Sequence, residues 1–200
     1  MRRIVMFNHV SADGYFATGD GAMDWVVPDE ELSRSVMQHG PKYDTVLFGR
    51  KTYDMFEQFW PRALDEATST APDPHAPGRR STFNRDMAVF LNEVAKVVFS
   101  RHRQDVTWKN SRLLRTFDPK AVEAMKRERG EDMILFGSGS IVSQLTMHGL
   151  IDEYQFVVAP ILLGSGRTIL DGVTERRRLT LVESKAFPSG SVLQRYAVSK

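Results

Sequence analysis

Three short apolar segments, each ending in glycine or serine, constrain the fold of this chain more than any other feature of its sequence. They are VLFG at residues 46–49, VVFS at 97–100 and ILFG at 134–137. Stretches whose apolar residues recur at helical spacing lie between them. Continuous apolar strands that alternate with helices are typical of parallel sheets buried on both faces. The pattern therefore predicts an α/β domain.

Other segments extend this pattern over the whole chain. We predict further strands at 4–10, 105–111 and 152–164, and helices at 51–60, 82–92, 119–128, 140–149 and after Pro28. Proline, serine and glycine at 188–190 predict a hairpin between two C-terminal strands. We expect a single domain over residues 1–200, with a mostly parallel sheet, an antiparallel C-terminal edge and a proline-rich loop insertion at 61–82.

Composition excludes several classes of site. The chain has 200 residues and 27 lysines and arginines against 25 acids, so its net charge of +2 gives no basis for nucleic-acid binding. It has no cysteine, which excludes disulfides and thiolate chemistry, and its five histidines lack the spacing of metal ligands. No apolar stretch approaches the ~20 residues of a membrane span, and the N-terminal segment lacks the apolar region of a signal peptide. We expect a cytoplasmic protein without metal, nucleic-acid or membrane partners.

The residues that follow the three apolar segments are the candidates for ligand binding. Ligands of open α/β sheets bind beyond the carboxyl ends of the strands, so neighbouring strands would bring these residues together. Glycines at 137 and 139 allow backbone to approach a phosphate, and a helix start offers free N–H groups. Arg50 and Arg101 supply cations. The combination predicts a phosphorylated dinucleotide, although glycine-x-glycine alone also fits a plain loop and the first strand lacks the glycine-rich Rossmann motif.

The same segments carry a family resemblance. VLFGRKTYDMF, KVVFSR and ILFGSGSI, in this order, resemble the dihydrofolate reductase superfamily. SADGYFA near the start and VVAPILLGSGRTIL near the end resemble the reductase domain of the bifunctional riboflavin-biosynthesis deaminase–reductase and its stand-alone relatives. The resemblance implies a mostly parallel central sheet flanked by helices, NADPH as the hydride donor and, frequently, a homodimer.

The resemblance also implies which residues hold the cofactor. Arg50 would lie near the adenosine 2′-phosphate and Thr52 near the pyrophosphate. Dihydrofolate reductases usually carry two adjacent glycines where this chain has Gly137 and Ser138, so the fit of the cofactor is expected to differ there. The full set of matched positions is Gly49, Arg50, Lys51, Thr52, Ser100, Arg101, Gly137, Ser138, Gly139, Ser140 and Ile141.

The substrate side is less specific. The segment MDWVVPDEEL resembles a dihydrofolate reductase stretch, and Glu30 falls where that enzyme has its carboxylate. Acids are also common in any first helical turn, so this role stays open. Asp13, Glu30 or a bound water are the alternatives for proton delivery. Trp25, Phe56 and Trp60 are predicted to line an aromatic pocket together with Glu30, with core packing as the alternative for Phe56.

The sequence therefore predicts an NADPH-dependent reductase that transfers a hydride to a small heterocycle, whether pterin-like, a pyrimidine or similar to 5-amino-6-ribosylaminouracil. The alternative is a non-catalytic nucleotide-binding or regulatory module that keeps the cofactor cleft. A homodimer is also predicted, because the C-terminal strands are apolar at alternate positions and form an edge that a partner would cover.

Overall fold

The structure is a computed structural model that describes residues 1–27, 29–39, 42–64 and 82–199, except the side chains of residues 37–39 and 82–84. The strands are β1 (Ile4–Ser11), β2 (Tyr15–Ala17), β3 (Tyr43–Gly49), β4 (Ala95–Phe99), β5 (Ser111–Leu114), β6 (Asp132–Phe136), β7 (Glu153–Ala159), β8 (Arg167–Thr168), β9 (Leu179–Ala186) and β10 (Val192–Val198). The helices are α1 (Glu30–His39), α2 (Arg50–Phe59), α3 (Thr82–Glu93), α4 (Pro119–Arg127) and α5 (Gly139–Met147), and a 3-10 turn covers Trp60–Arg62.

A large sheet forms the centre of the molecule. Its eight strands are ordered β5-β4-β3-β6-β1-β7-β10-β9. The strands from β5 to β7 are parallel, and β10 is antiparallel to both β7 and β9. Strands β2 and β8 pair separately as a small antiparallel ribbon. The predicted α/β class, the mostly parallel sheet and the antiparallel C-terminal strands are confirmed.

Successive side chains of a strand point to opposite faces of the sheet, and in the central parallel strands both faces are covered by helices. Leu47 lies in the core layer that contains α4 and α5, whereas its neighbours Val46 and Phe48 lie in the layer that contains α2 and α3. Burial on both faces explains why these strands are continuous apolar runs with no polar alternation. The sequence pattern therefore reflects the two layers of helices that cover the sheet.

Two predicted strands are displaced. The strand predicted at 105–111 is wrong, because Lys109 and Asn110 form a turn, with Asn110 at φ +60°, and the strand follows it as β5. The indole of Trp108 is buried in the core and donates to Asn92 Oδ1 at 2.8 Å. The strand predicted at 152–164 ends at Ala159, since Pro160 cannot donate to a ladder.

Most of the loop insertion predicted at 61–82, namely residues 65–81, lies outside the described residues. Pro28, after which a helix is predicted, also lies outside them. The helix itself begins at Glu30. Among the helices that the structure does describe, none has the length and apolar character needed to cross a membrane.

Candidate functional site

The carboxyl ends of β4, β3 and β6 meet at one edge of the sheet. The three strands are direct neighbours and run parallel, with Gly49 in register with Phe99 and Leu47 in register with Leu135. The expected adjacency of the three apolar segments is therefore present in the fold. Residues that follow them in the sequence lie side by side in space.

A cleft of about 1190 Å³ opens at this edge. All of the predicted cofactor-binding residues except Gly137 line it, and Phe16, Arg167 and Thr168 of the β2 and β8 ribbon line it as well. Gly137 has φ +54°, a conformation in which a side chain is strained, and a Cβ there would be 3.0 Å from Oγ1 of Thr52, which lines the cleft. The structure therefore brings the predicted residues together.

Helices α2 and α5 begin at the cleft without side-chain caps. The first N–H groups of a helix have no partner within the helix and carry its positive dipole end. The N–H groups of Lys51, Gly139 and Ser140 have no acceptor among the described residues. Two helix starts therefore offer their donors to the same cleft, as an anion would require.

Ser138 joins these two helix starts. Its hydroxyl oxygen accepts from the Gly49 N–H at 2.8 Å, and its hydroxyl donates to Thr52 Oγ1 at 2.8 Å. Ser138 has φ +62° and ψ +64°, a left-handed conformation that is uncommon for serine. Gly49 must lack a side chain, because its Cβ would be 2.7 Å from the Cβ of Ser138 and 3.1 Å from Cγ1 of Ile141. The starts of α2 and α5 are thus in close contact.

The cleft is positively charged although the whole chain is nearly neutral. Among the described residues that line it, Asp171 is the one acid. Within the described part of the chain, Arg50 forms one ion pair, with Asp54 at 3.4 Å, and 43% of its side chain is exposed. Arg101 has no hydrogen-bond or ion-pair partner among the same residues. Such cations remain available to an anionic ligand. The basic residues that line the cleft are Arg50, Lys51, Arg101, His102, Arg115 and Arg167.

Arg103 fixes the loop that carries Arg101 against helix α2. Its guanidinium donates to Asp54 at 2.5 Å and to Glu57 at 2.8 Å, and lies 4.8 Å from the ring centre of Tyr53. Burial raises the pKa of Glu57, but hydrogen bonds from Thr107, Arg103 and Tyr53 outweigh burial and leave the pKa below its ordinary value. An ionised Glu57 therefore keeps this loop in place.

Ser100 holds the same loop from within. Its hydroxyl oxygen accepts from the N–H groups of His102 at 3.2 Å and Arg103 at 3.0 Å. Arg115 adds two bonds from the end of β5, to the carbonyl oxygens of Arg103 and Gln104. Ser100 lines the cleft, and its own hydroxyl hydrogen has no acceptor among the residues that the structure describes.

The predicted substrate residues do not line the cleft. Phe56 and Trp60 are buried in the core layer of α2, where Phe56 stacks on Phe136 with ring centres 5.8 Å apart. Phe56 is therefore packed in the hydrophobic core. Glu30 is exposed at the first position of α1. Trp25 is half-buried, and its Nε1 is buried without an acceptor among the described residues.

The carboxylate of Asp13 is held by hydrogen bonds within the protein. Its carboxylate accepts from the Ser11 hydroxyl at 2.6 Å and from the N–H groups of Leu163 at 3.1 Å and Gly164 at 2.7 Å. The bond from Ser11 and then those from the backbone keep the pKa of Asp13 below its ordinary value. Asp13 is therefore an ionised acceptor that ties the first turn to the segment after β7.

Several cleft residues escaped the sequence interpretation. Arg115 follows the end of β5, and it was missed because that strand was predicted too early in the sequence. Arg167 and Thr168 lie within GSGRT, a segment that carried the resemblance but received no role. Arg167 donates from Nε and from its terminal nitrogen to the carbonyl oxygen of Gly19, at 3.1 and 2.9 Å. This contact joins β8 to the loop after β2.

Comparison with known proteins gives the family. Residues 2–193 match the family model described as the RibD C-terminal domain. The chain belongs to the RibD C-terminal domain family. This RibD C-terminal domain is 26% identical over 195 residues to the uncharacterized protein YyaP of Bacillus subtilis strain 168, and the match covers 96% of this chain and 92% of YyaP.

Two solved structures share the fold of this RibD C-terminal domain. The diaminohydroxyphosphoribosylaminopyrimidine deaminase/5-amino-6-(5-phosphoribosylamino)uracil reductase of Thermotoga maritima gives a TM-score of 0.63 at 15% identity, over 99% of this chain and 57% of that enzyme. Dihydrofolate reductase of Enterococcus faecalis, complexed with NADP(H), gives 0.58 at 9% identity, over 99% and 97%. The predicted family and the dihydrofolate reductase-like fold are confirmed. The family match supports a reductase role.

Proposed function

We propose that this RibD C-terminal domain is an NADPH-dependent reductase that transfers a hydride to a small heterocycle. The observation that carries the proposal is the convergence of two uncapped helix starts and a group of available cations on one cleft. A dinucleotide has a pyrophosphate for the helix starts and a ribose phosphate for the cations. The proposal therefore accounts for both features with one ligand.

The residues present fit this cofactor. The uncapped N–H groups of α5 at Gly139 and Ser140 suit a pyrophosphate. Arg50 and Arg101 suit a doubly charged 2′-phosphate. NADH-binding sites often have an acid after the strand end to bind the ribose hydroxyl, whereas this chain has Arg101 after VVFS. Bound there, NADPH would supply a hydride from its nicotinamide ring. The protein would bind and orient the two reactants and exclude water from the contact between them.

The environment of Asp13 narrows the candidates for the proton donor. Asp13 is ionised and already accepts three hydrogen bonds, which favours Glu30 or a bound water over Asp13 as the donor. The buried Trp25 Nε1 lacks an acceptor among the described residues, so it keeps a donor for a substrate carbonyl. We propose that the substrate lies on the side of Trp25 and Glu30 and that Phe56 and Trp60 support this region from the core.

The substrate class is proposed from the name of a structural neighbour. We propose a pyrimidine or pterin-like ring, including substrates similar to 5-amino-6-ribosylaminouracil, because the Thermotoga maritima neighbour is by name a uracil reductase. The competing proposal is a non-catalytic nucleotide-binding module, favoured by the position of the candidate acids Asp13 and Glu30 outside the cleft lining. In that case binding would occur without turnover.

One experiment separates these proposals. NADPH and NADH are titrated by nicotinamide fluorescence, and NADPH oxidation is then followed with a panel of pterins and aminopyrimidines, with and without a ribose phosphate. Tight NADPH binding with turnover of one substrate class supports the reductase. Binding without turnover of any member favours the module, and failure to bind either dinucleotide overturns the reductase.

We also propose a homodimer formed at the C-terminal edge of the sheet, in the cytoplasm. Strand β9 is the last strand of the sheet, and its Leu181 and Val182 are more than half exposed. An edge strand with exposed apolar side chains invites pairing with another strand. Light scattering at micromolar concentration is expected to give twice the monomer mass, and a monomer would exclude this interface.

A further inference from the structure

We propose that Ser138 is a positioning residue for the anionic ligand of the cleft. Its hydroxyl joins the starts of α2 and α5 and leaves the hydroxyl hydrogen of Thr52 for a phosphate oxygen. The inference rests on the proposed function, because it assigns a role within the same site. It concerns the position at which dihydrofolate reductases usually carry a second glycine and this chain carries serine.

The backbone of Ser138 shows that the serine is held in place. Asn110 and Ser138 are the two non-glycine residues with positive φ in the described part of the chain. Asparagine tolerates this conformation, whereas serine adopts it only when its surroundings compensate for the strain. The compensation comes from the two bonds of the Ser138 hydroxyl, to Gly49 and to Thr52, which lie 89 and 86 residues away in the chain.

The direction of these bonds determines what is left for a ligand. The Gly49 N–H donates to Ser138 Oγ, and the Ser138 hydroxyl donates to Thr52 Oγ1. Thr52 Oγ1 is therefore an acceptor, and its own hydrogen has no acceptor among the described residues. Thr52 lines the cleft. Successive hydrogen bonds polarise one another, so this last hydroxyl is a strengthened donor for an anion.

A purely structural role for Ser138 makes different predictions from this positioning role. If Ser138 only stabilises the turn, loss of affinity should follow loss of stability. Ser138→Ala removes the hydroxyl and keeps the strained backbone, whereas Ser138→Gly removes the hydroxyl and relieves the strain. We expect Ser138→Gly to melt at a higher temperature than Ser138→Ala. If the hydroxyl positions Thr52, both variants should lose the same affinity in spite of that difference.

The expected loss is about tenfold in the dissociation constant of NADPH for each Ser138 variant, the value of roughly one hydrogen bond to a charged group. Thr52→Val should lose about as much, because it removes the final donor and keeps the branched shape. Thr52→Ser is the matched control and should bind like the wild type. Because Ser138 acts through Thr52, the Ser138→Ala, Thr52→Val double variant should bind no worse than Thr52→Val alone.

The outcomes separate this inference from the proposed function. If the wild-type protein binds NADPH and the Ser138→Ala and Ser138→Gly variants bind it as tightly as the wild type does, the inference is overturned. The proposed function would then still stand. Wild-type protein that fails to bind NADPH would overturn the proposed function; the same variants are then titrated with inorganic pyrophosphate. Equal losses of pyrophosphate affinity would support the positioning role, and absence of any pyrophosphate binding would overturn it too.

Discussion

Two pairs of helices differ in how their first turns are satisfied. Helices α1 and α4 are capped by aspartates: Asp29 accepts from the N–H of Leu32 and Asp118 from the N–H of Lys120, both at 2.9 Å. Helices α2 and α5 have no side-chain cap, and both begin at the cleft. In the capped helices a carboxylate accepts from the first N–H groups, whereas in the uncapped helices no side chain does so. The difference indicates that the open ends are kept for an external anion.

The comparison also shows how stability and binding are divided. A carboxylate at a helix start generally stabilises the helix, but at the open starts of α2 and α5 it would repel a phosphate from the cleft. At the start of α5 the capping position carries Ser138, whose hydroxyl bonds to Gly49 and Thr52 and caps no turn. Changes at the open helix starts should therefore affect ligand binding first, and removal of the capping aspartates Asp29 and Asp118 should lower stability without changing NADPH affinity. Four predictions test this division, from the largest expected effect to the smallest.

The largest effect is expected at Gly49, where the open helix starts meet. In Gly49→Ala the new Cβ would overlap Ser138, so α5 must move away from α2 and the donors no longer converge. We expect NADPH affinity to fall at least a hundredfold, about 2.8 kcal/mol, with a stability cost of about 1–3 kcal/mol from overpacking. Calorimetric titration and urea unfolding measure the two. Gly19→Ala is the control, since its Cβ would have no neighbour within 4 Å.

The next effect concerns the cations beside the open helix starts. Arg50→Ala should weaken NADPH by about tenfold to a hundredfold, because a charge-assisted bond to the 2′-phosphate is worth about 1.5–3 kcal/mol, and should leave NADH affinity nearly unchanged. Arg112→Ala is a matched control, as an exposed arginine outside the cleft lining. Parallel fluorescence titrations with both dinucleotides are the measurement. Equal losses for NADPH and NADH would remove the 2′-phosphate assignment.

The capped helix starts should show the opposite pattern. Removal of a cap typically costs about 1 kcal/mol of stability, so Asp118→Ala and Asp29→Ala should each unfold at lower urea concentration. Their NADPH affinity should equal that of the wild type, because neither aspartate lines the cleft. Asp118→Asn and Asp29→Asn keep a capping oxygen and serve as controls. A tenfold loss of affinity in either alanine variant would contradict the division between capped and open helices.

The smallest effect is a pH dependence that arises at Asp29. Burial raises the pKa of Asp29, but hydrogen bonds from Leu32 and Ser189 outweigh burial, so the folded-state pKa lies below the ordinary value. The unfolded protein then binds the proton more readily, and the stability from Asp29 is present above about pH 4 and is lost as pH falls below it. Urea unfolding between pH 3 and pH 6, with Asp29→Asn as the reference, measures the difference. Identical pH profiles would exclude Asp29 as a contributor.

Several elements could be predicted because their causes are local. Asp118 and Pro119 together predict the start of α4, since aspartate can cap the turn and proline is suited to the first helical position. The apolar runs before Gly49 and Gly137 predict buried strands because both faces of those strands are covered. The strand after Trp108 was misplaced because a buried tryptophan and a turn at Asn110 imitate the pattern of a strand.

The sequence by itself determined the α/β class, the apolar strands and the glycines and cations that follow them, because these features depend on residues a few positions apart. The tertiary structure decided which strands are neighbours, since the order β4-β3-β6 depends on how the connecting helices pack. The tertiary structure also decided which partners individual side chains contact. Asp13 is occupied by N–H groups 150 and 151 residues away, and Phe56 is buried against Phe136. Ser138 reaches Gly49 and Thr52 for the same reason: contacts between distant residues follow from packing, and local sequence does not encode them.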